Sequence, residues 1–345
     1  GSFNQTGKGY SLDGDKPAPF LAKLKDFVPD SEEFTFSHEK LETFFAKHKK
    51  HTVYQTKGEE LYQPPLVVIP KAPGDDEEAP HAFLSKQPLA FSQSYYGYSC
   101  KGHEDEETLA ALIYLLAHSK LFRYFALMVS VSQGADHMIF TKQDFDALPF
   151  PDLKVLPATK KAAIRNLADR LQHAVRKPWR EINEFIFSLY GLDADAVQVA
   201  TDTLFAAVSY RKAGKAALDR TTHDTRAAFV QALRDELEPY FDVCGEHAAV
   251  REAGFQPDTW REPWFFLAVS READSVTINP SLMRKAMEAA NQRGCSRIIV
   301  NAPGKHGLLI GLLNQRRWWT VTRAQLCAQH IIRERLCAFG LPEDS

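Results

Sequence analysis

Apolar residues fall along this chain in runs with two different periods. Leu66-Val67-Val68-Ile69 is unbroken, introduced by Pro64-Pro65 and closed by Pro70, and this predicts a short buried strand. A second strand is predicted over 89–92, followed by a Tyr95-Tyr96-Gly97 turn. From Glu106 the positions Leu109, Leu112, Ile113, Leu116, Leu121, Tyr124 and Phe125 recur at helical spacing, which predicts one long helix buried on more than one side. Residues 128–131 and 137–140 flank Gly134 and predict two extended segments around a turn. Upstream, Asp30-Ser31-Glu32-Glu33 reads as a helix start before Leu41, Phe44 and Phe45.

Leu148-Pro149-Phe150-Pro151 interrupts this pattern, since closely spaced prolines oppose both helix and central strand. Helices are predicted beyond it over 160–176, stopped by Pro178; over 179–190, with Gly191 as C-cap; over 194–208; and over 222–241. From Trp264 the order becomes strand 264–270, strand 275–278, helix 280–293 and strand 297–300. A loop from Asn301 to Gly307, an apolar segment 308–313, a strand 318–321 and a helix 323–336 complete it. The fold class expected is α+β: a mixed strand–helix domain over 1–153, a helical connector over 154–245 and a small α/β lobe over 246–345.

Composition changes this picture little. A length of 345 residues suggests about two domains, and 44% hydrophobic with 25% charged residues describes an ordinary globular chain. No run of about 18 apolar residues occurs, so no transmembrane helix and no membrane partner are expected. Five cysteines form no disulfide-like framework, and the odd number fits a reducing cytoplasm. Gly1-Ser2, with no initiator Met, reads as the start of a fragment cut from a longer protein.

Charge changes it more. The net charge of −2 argues against a generally sticky nucleic-acid binder, yet the charge is segregated. Lys160, Lys161, Arg165, Arg170, Arg176, Lys177 and Arg180 face one acid, Asp169, while residues 281–337 carry ten Lys/Arg against Glu288 and Glu334. Arg316-Arg317-Trp318-Trp319 with Arg323 is the best basic–aromatic cluster, suited to gripping phosphates or to docking on a partner. Further candidates for nucleic-acid contact are Tyr95 and Tyr96, the turn residues Ser132, Gln133 and His137, and the basic residues Lys71, Lys86, Lys101, Lys161 and Arg165. Cys100/His103 and Cys244/His247 have zinc-like spacing, but they lie more than a hundred residues apart in different predicted domains, so no metal site is expected.

Several of these segments, in order, resemble the target-recognition region of N6-adenine DNA methyltransferases of the type IIG and type I-like groups, found in restriction-modification and defence systems. Tyr62-Gln63-Pro64-Pro65-Leu66-Val67-Val68-Ile69-Pro70-Lys71 is similar to the family's strand entering recognition. Leu89-Ala90-Phe91 through Tyr95-Tyr96-Gly97-Tyr98 resembles the next strand pair, and Leu115-Leu116-Ala117-His118-Ser119-Lys120-Leu121 the helix that follows. Leu148 to Pro151 resembles the exit, and Glu181-Ile182-Asn183-Glu184 through Leu189-Tyr190-Gly191-Leu192 a recurrent downstream helix. The likeness covers roughly residues 60–205.

The resemblance implies double-stranded DNA as partner, with loops near Lys71 and Lys86 reading sequence. It also implies a methyltransferase domain N-terminal to this chain and, in the whole enzyme, other restriction or defence subunits. The chain itself lacks the Asn/Asp-Pro-Pro-Tyr/Phe loop that holds a flipped adenine, and the glycine-rich turn that approaches the methyl donor. Its nearest strings, Asn279-Pro280-Ser281-Leu282 and Asn301-Ala302-Pro303-Gly304, lack the second proline and the aromatic. The chain is therefore expected to be no enzyme by itself and to hold no cofactor, with S-adenosylmethionine bound in the missing domain. Two other readings stay open: a protein-interaction module of a defence complex, and a nuclease or hydrolase in the C-terminal lobe. The second needs an acidic metal cluster, and Glu262, Glu272 and Asp274 lack the spacing restriction folds use.

Overall fold

The computed structural model describes residues 58–72, 81–91, 94–129, 144, 147–211, 216–253, 264–274, 276, 278–302 and 307–340, and the backbone of four short strands before residue 54. It is an α+β protein whose chain divides into two compact units, Gly1–Leu204 and Phe205–Ser345. The start proposed at Asp30, the turn with Ser132, Gln133 and His137, and the loop from Pro303 to His306 lie outside the described residues.

The first unit contains β1 (Gln5–Thr6), β2 (Leu12–Pro17), β3 (Asp26–Val28), β4 (Thr52–Val53), β5 (Leu66–Pro70), β6 (Phe83–Ser85), β7 (Leu89–Phe91) and β8 (Tyr95–Ser99). Its main sheet has the order β1-β8-β5-β6, all antiparallel, with Val67 opposite Tyr98 and Ile69 opposite Tyr96. The continuous apolar run of β5 is explained by burial on both faces. Val67 and Ile69 join the core beneath the helices, and Leu66 and Val68 are equally withdrawn from solvent on the opposite side. The Tyr95-Tyr96-Gly97 turn expected from sequence is thus strand instead: aromatic residues suit a pleated surface, and Gly97 sits mid-strand opposite Val68.

Helices α1 (Glu106–Ala117) and α2 (Lys120–Val129) replace the single long helix expected, and meet at a 70° bend. Ser119 makes the break, its hydroxyl donating to the Leu116 carbonyl and accepting from the Phe122 N–H that opens α2. His118 anchors the same corner: Nδ1 donates to the Tyr114 carbonyl, Nε2 accepts from the His81 N–H, and the ring stacks on Trp179. Burial first, then His81, pushes its pKa down to about 3, so it is a neutral core residue. Met128 and Val129, expected to be extended, are still helical.

Helices α3 (Ala158–His173) and α4 (Trp179–Leu189) pack Ile164, Leu167, Leu171, Ile182 and Ile186 into this same core. Helix α5 (Ala194–Arg211) spans the division between units. The segment 154–245 accordingly contributes side chains to both cores. Among the described residues no single helix is long and apolar enough to cross a membrane.

The second unit is a three-layer sandwich. After α6 (His223–Asp242) come β9 (Ala248–Ala253), β10 (Trp264–Arg271), α7 (Pro280–Gln292), β11 (Arg297–Asn301), β12 (Gly307–Leu313) and α8 (Val321–Glu334). The antiparallel sheet runs β11-β12-β10-β9. Alternation along β10 sorts the two faces. Phe265, Leu267 and Val269 meet α6 and α8, while Trp264, Phe266 and Ala268 meet Met283, Met287 and Ala290 of α7. Phe229, Leu233, Leu237 and Phe241 line α6 at a spacing of four and bury that face completely. Gly311 lies opposite Phe266, and a Cβ there would stand 2.5 Å from the ring, so the strand needs glycine at that point.

The strand expected over 318–321 is instead a tight turn, Arg316–Trp318, running into α8. Thr320 caps that helix by accepting from the Arg323 N–H, which commits the following residues to helical geometry. Val276 and Ile278, expected in a strand, lie in none.

At the outer end of α6, Glu238 accepts from the Ala248 N–H with one oxygen and lies 2.7 Å from His247 Nδ1 with the other. Asp242 stands 3.4 Å from the same nitrogen. The hydrogen bond and charge of Glu238 raise the His247 pKa. Glu238 itself is lowered, burial working against the shift and the hydrogen bonds from His247 and Ala248 overcoming it. The histidine's stabilisation is complete below its unfolded pKa of about 6.5 and is lost as pH rises through its higher folded value. The glutamate's is present above its unfolded pKa of about 4.3 and is lost as pH falls. His247→Gln is therefore expected to lower the thermal midpoint most near pH ~5.5 and to match the parent by pH ~9, in a melting series across pH. Equal losses at both pH values would show that the pair contributes nothing.

Candidate nucleic-acid interface

Most of the candidate residues in the first unit are committed to contacts within the protein. Tyr95 is 3% exposed and meets Phe83 edge-on, so its ring is not offered to a ligand. Tyr96, on the opposite face of the strand, packs partly on the core and carries the Lys71 ammonium 5.0 Å from its ring centre. Burial first, then Asp144, raises its pKa, which keeps the phenol protonated. Lys101 is exposed, and Lys86 has only a loose contact with Asp169 at 4.0 Å.

The first basic run is partly neutralised. Lys161 holds Asp105 at 2.9 Å, and Arg165 donates to Thr108 Oγ1 at 2.6 Å. Hydrogen bonds from Lys161 and Thr108 keep the Asp105 carboxyl below its usual range. Arg170 makes a two-pronged pair with Glu181, and Arg180 pairs with Glu184. Glu181 and Glu184 come from just beyond the basic run and Asp105 from far upstream, which is why the run looked unbalanced when counted by itself.

The second unit behaves differently. The turn Arg316–Trp318, the first turn of α8 and the start of the edge strand β11 converge. The guanidinium of Arg323 lies 4.2 Å from the Trp318 ring centre and that of Arg317 5.1 Å from it. Arg316 reaches over Phe205 at 5.1 Å, and Arg297 lies near the Cys327 thiol, whose pKa burial pushes up to about 11. The Arg323 pKa is lowered by burial and then by the charges of Arg297 and Arg317. Guanidiniums repel guanidiniums here, although each remains charged at any working pH. Among the described residues no carboxylate pairs with Arg297, Arg316 or Arg323.

Arg316 Nε and Trp318 Nε1 are buried and have no acceptor among the described residues. The exposed guanidiniums of Arg297 and Arg323 offer donors and positive charge, the complement of an anion. Trp319, the neighbour in sequence, belongs elsewhere: it is 1% exposed, and its indole N–H donates to the Leu313 carbonyl.

Sequence inspection picked out Arg316, Arg317 and Arg323 but missed Arg297, which lies some twenty residues upstream. Only the pairing of β11 with β12 carries it to this place. A cleft of about 470 Å³ in the first unit, between Pro64-Pro65, Leu84 and Lys86 and the helices α1 and α3, is the other concavity of note. Its charges are mixed, with Lys86 and Arg165 facing Glu106, Glu107 and Asp169, and so favour no single class of ligand. Glu238, Asp242 and His247 place ligand atoms within 4.8 Å of one another, the arrangement a cation would need; their charges already satisfy one another as described above. In comparisons with known proteins the chain matches no family model and no curated protein.

Proposed function

We propose that the chain binds double-stranded DNA, and that it is the recognition portion of an N6-adenine DNA methyltransferase of the restriction-modification or phage-defence kind. The observation that carries the DNA reading is the Arg297–Arg316–Arg317–Arg323 cluster. It concentrates positive charge on a protein of net charge −2, and among the described residues no carboxylate pairs with three of its four members, two of which, Arg297 and Arg323, are exposed. Clustered, exposed positive charge of this kind attracts a polyanion. The methyltransferase part of the reading rests on the ordered resemblance of residues 60–205. In it, methyl transfer and S-adenosylmethionine belong to another domain, and this chain positions the duplex. Residues near Lys71, Lys86 and Lys101 would then approach base edges, while the C-terminal lobe holds phosphates.

Fluorescence anisotropy of the chain with random-sequence duplex across a salt series tests this. Binding should weaken with a log–log slope of about −3 to −4, the value for three or four neutralised phosphates. Absence of binding at low salt would overturn the reading and favour a protein-interaction module. Leu326, 54% exposed one turn beyond Arg323, is the residue that such a partner would cover.

A further inference from the structure

We infer that Trp318 is a positioning residue that makes this cluster a clamp for the duplex sugar–phosphate backbone, indifferent to base sequence. The inference rests on the DNA-binding reading and specifies what part of DNA the site takes. Aromatic residues beside arginines usually suggest base stacking, in which an unpaired base lies on the ring. Here the ring is already occupied. Arg323 stands 4.2 Å from its centre, Arg317 5.1 Å, and the indole edge packs against the core formed by α6, α8 and the sheet.

What the indole does instead is hold two guanidiniums whose charges repel. Coulomb repulsion among Arg297, Arg317 and Arg323 would drive flexible side chains apart; it adds to burial, the larger cause, in lowering the Arg323 pKa. Stacking on an electron-rich face opposes that repulsion and fixes the planar groups. Side chains ordered beforehand lose less entropy when a phosphate arrives. Each supporting element contributes one part. The turn Arg316–Trp318 supplies the ring, α8 supplies Arg323 under the Thr320 cap, and edge strand β11 supplies Arg297. The guanidiniums carry donors and no acceptor, so they suit phosphate oxygens and give the amino groups of cytosine and adenine nothing to bond; guanine O6 and N7 are the base acceptors that the two unrelated duplexes below control for.

The test uses the full chain, two duplexes of unrelated sequence and a single strand of equal length. Trp318→Leu removes the platform and leaves every charge, Trp318→Phe keeps a ring face, and Arg323→Lys keeps charge while losing the planar group. We expect Trp318→Leu to weaken both duplexes equally, by about 10-fold, and to reduce the log–log salt slope by about 1. Trp318→Phe should stay within about 3-fold of the parent, and Arg323→Lys should lose about 3- to 10-fold. A larger loss on the single strand than on duplex would overturn the inference in favour of base stacking. Unequal losses on the two duplexes would overturn it in favour of base reading. Parent-like binding by Arg323→Lys would reduce the site to a simple patch of charge, and this arm reads out even if Trp318→Leu fails to fold. A parent chain that binds no DNA sinks the reading beneath the inference instead, which separates the two failures.

Discussion

Replacing Arg297 and Arg323 together by glutamate is expected to lower duplex affinity by about two orders of magnitude near 0.1 M salt, with a log–log slope shallower by about 2. Two phosphate contacts are lost, and two carboxylates then face the polyanion within a Debye length of about 10 Å. The fold should tolerate the change. Among the described residues Arg297 and Arg323 make no ion pair that would be broken, and Arg323 lies in the field of Arg297 and Arg317. A glutamate at either position would face Arg317 and gain a partner. The control is Arg180→Glu, which makes half that change in charge in a place where the guanidinium already serves Glu184. Its expected effect on affinity is less than about 3-fold, because an arginine closed in a pair contributes little net field. Comparable losses from the control would show that binding follows total charge rather than this cluster.

The contrast between those two arginines also shows what was legible in the sequence and what was not. Periodicity located α1, α3, α4, α6, α7 and the strands β5, β10 and β11 to within a few residues, because each carries a regular stripe bounded by Pro, Gly or a capping side chain. It failed where the decisive contact is remote. Ala248-Ala249-Val250 has no strand signature of its own, and becomes β9 only by pairing with Val269, Ser270 and Arg271. The bend at Ser119 was hidden because apolar spacing continues across it, and a single hydroxyl ends one helix and starts the next. Trp318 to Val321 looked like a strand from its aromatic and β-branched residues, yet the Thr320 cap decides the geometry. At the candidate site, counting charges within windows put equal weight on residues 160–180 and 281–337. Pairing with Asp105, Glu181 and Glu184 engages Lys161, Arg170 and Arg180 of the first run, and that pairing depends on packing that a window does not contain.

Adjacent tryptophans with opposite duties give the second large expectation. Trp319→Ala should destabilise the C-terminal unit by about 3–5 kcal/mol, the range for removing a large aromatic from a closed core. The ring is packed 5.1 Å from Phe229 and at right angles to Phe265 at 6.0 Å, joining α6 to the sheet. Its indole N–H also satisfies the Leu313 carbonyl at the end of β12, which fixes where the strand stops and the turn of the basic cluster begins. A domain is commonly stable by only about 5–15 kcal/mol, so a loss of this size approaches unfolding. Urea denaturation followed by circular dichroism measures it, and DNA binding should disappear over the same range of denaturant as the secondary structure. Trp319→Phe keeps most of the buried area and loses the hydrogen bond, for an expected cost of about 1–2 kcal/mol. Trp318→Leu should separate the two properties, with DNA affinity falling by far more than stability, because its ring is only half-buried and holds charges rather than the core. If Trp319→Ala unfolds within about 0.5 kcal/mol of the parent, the turn is not anchored through this ring, and the arginines beyond it need another support.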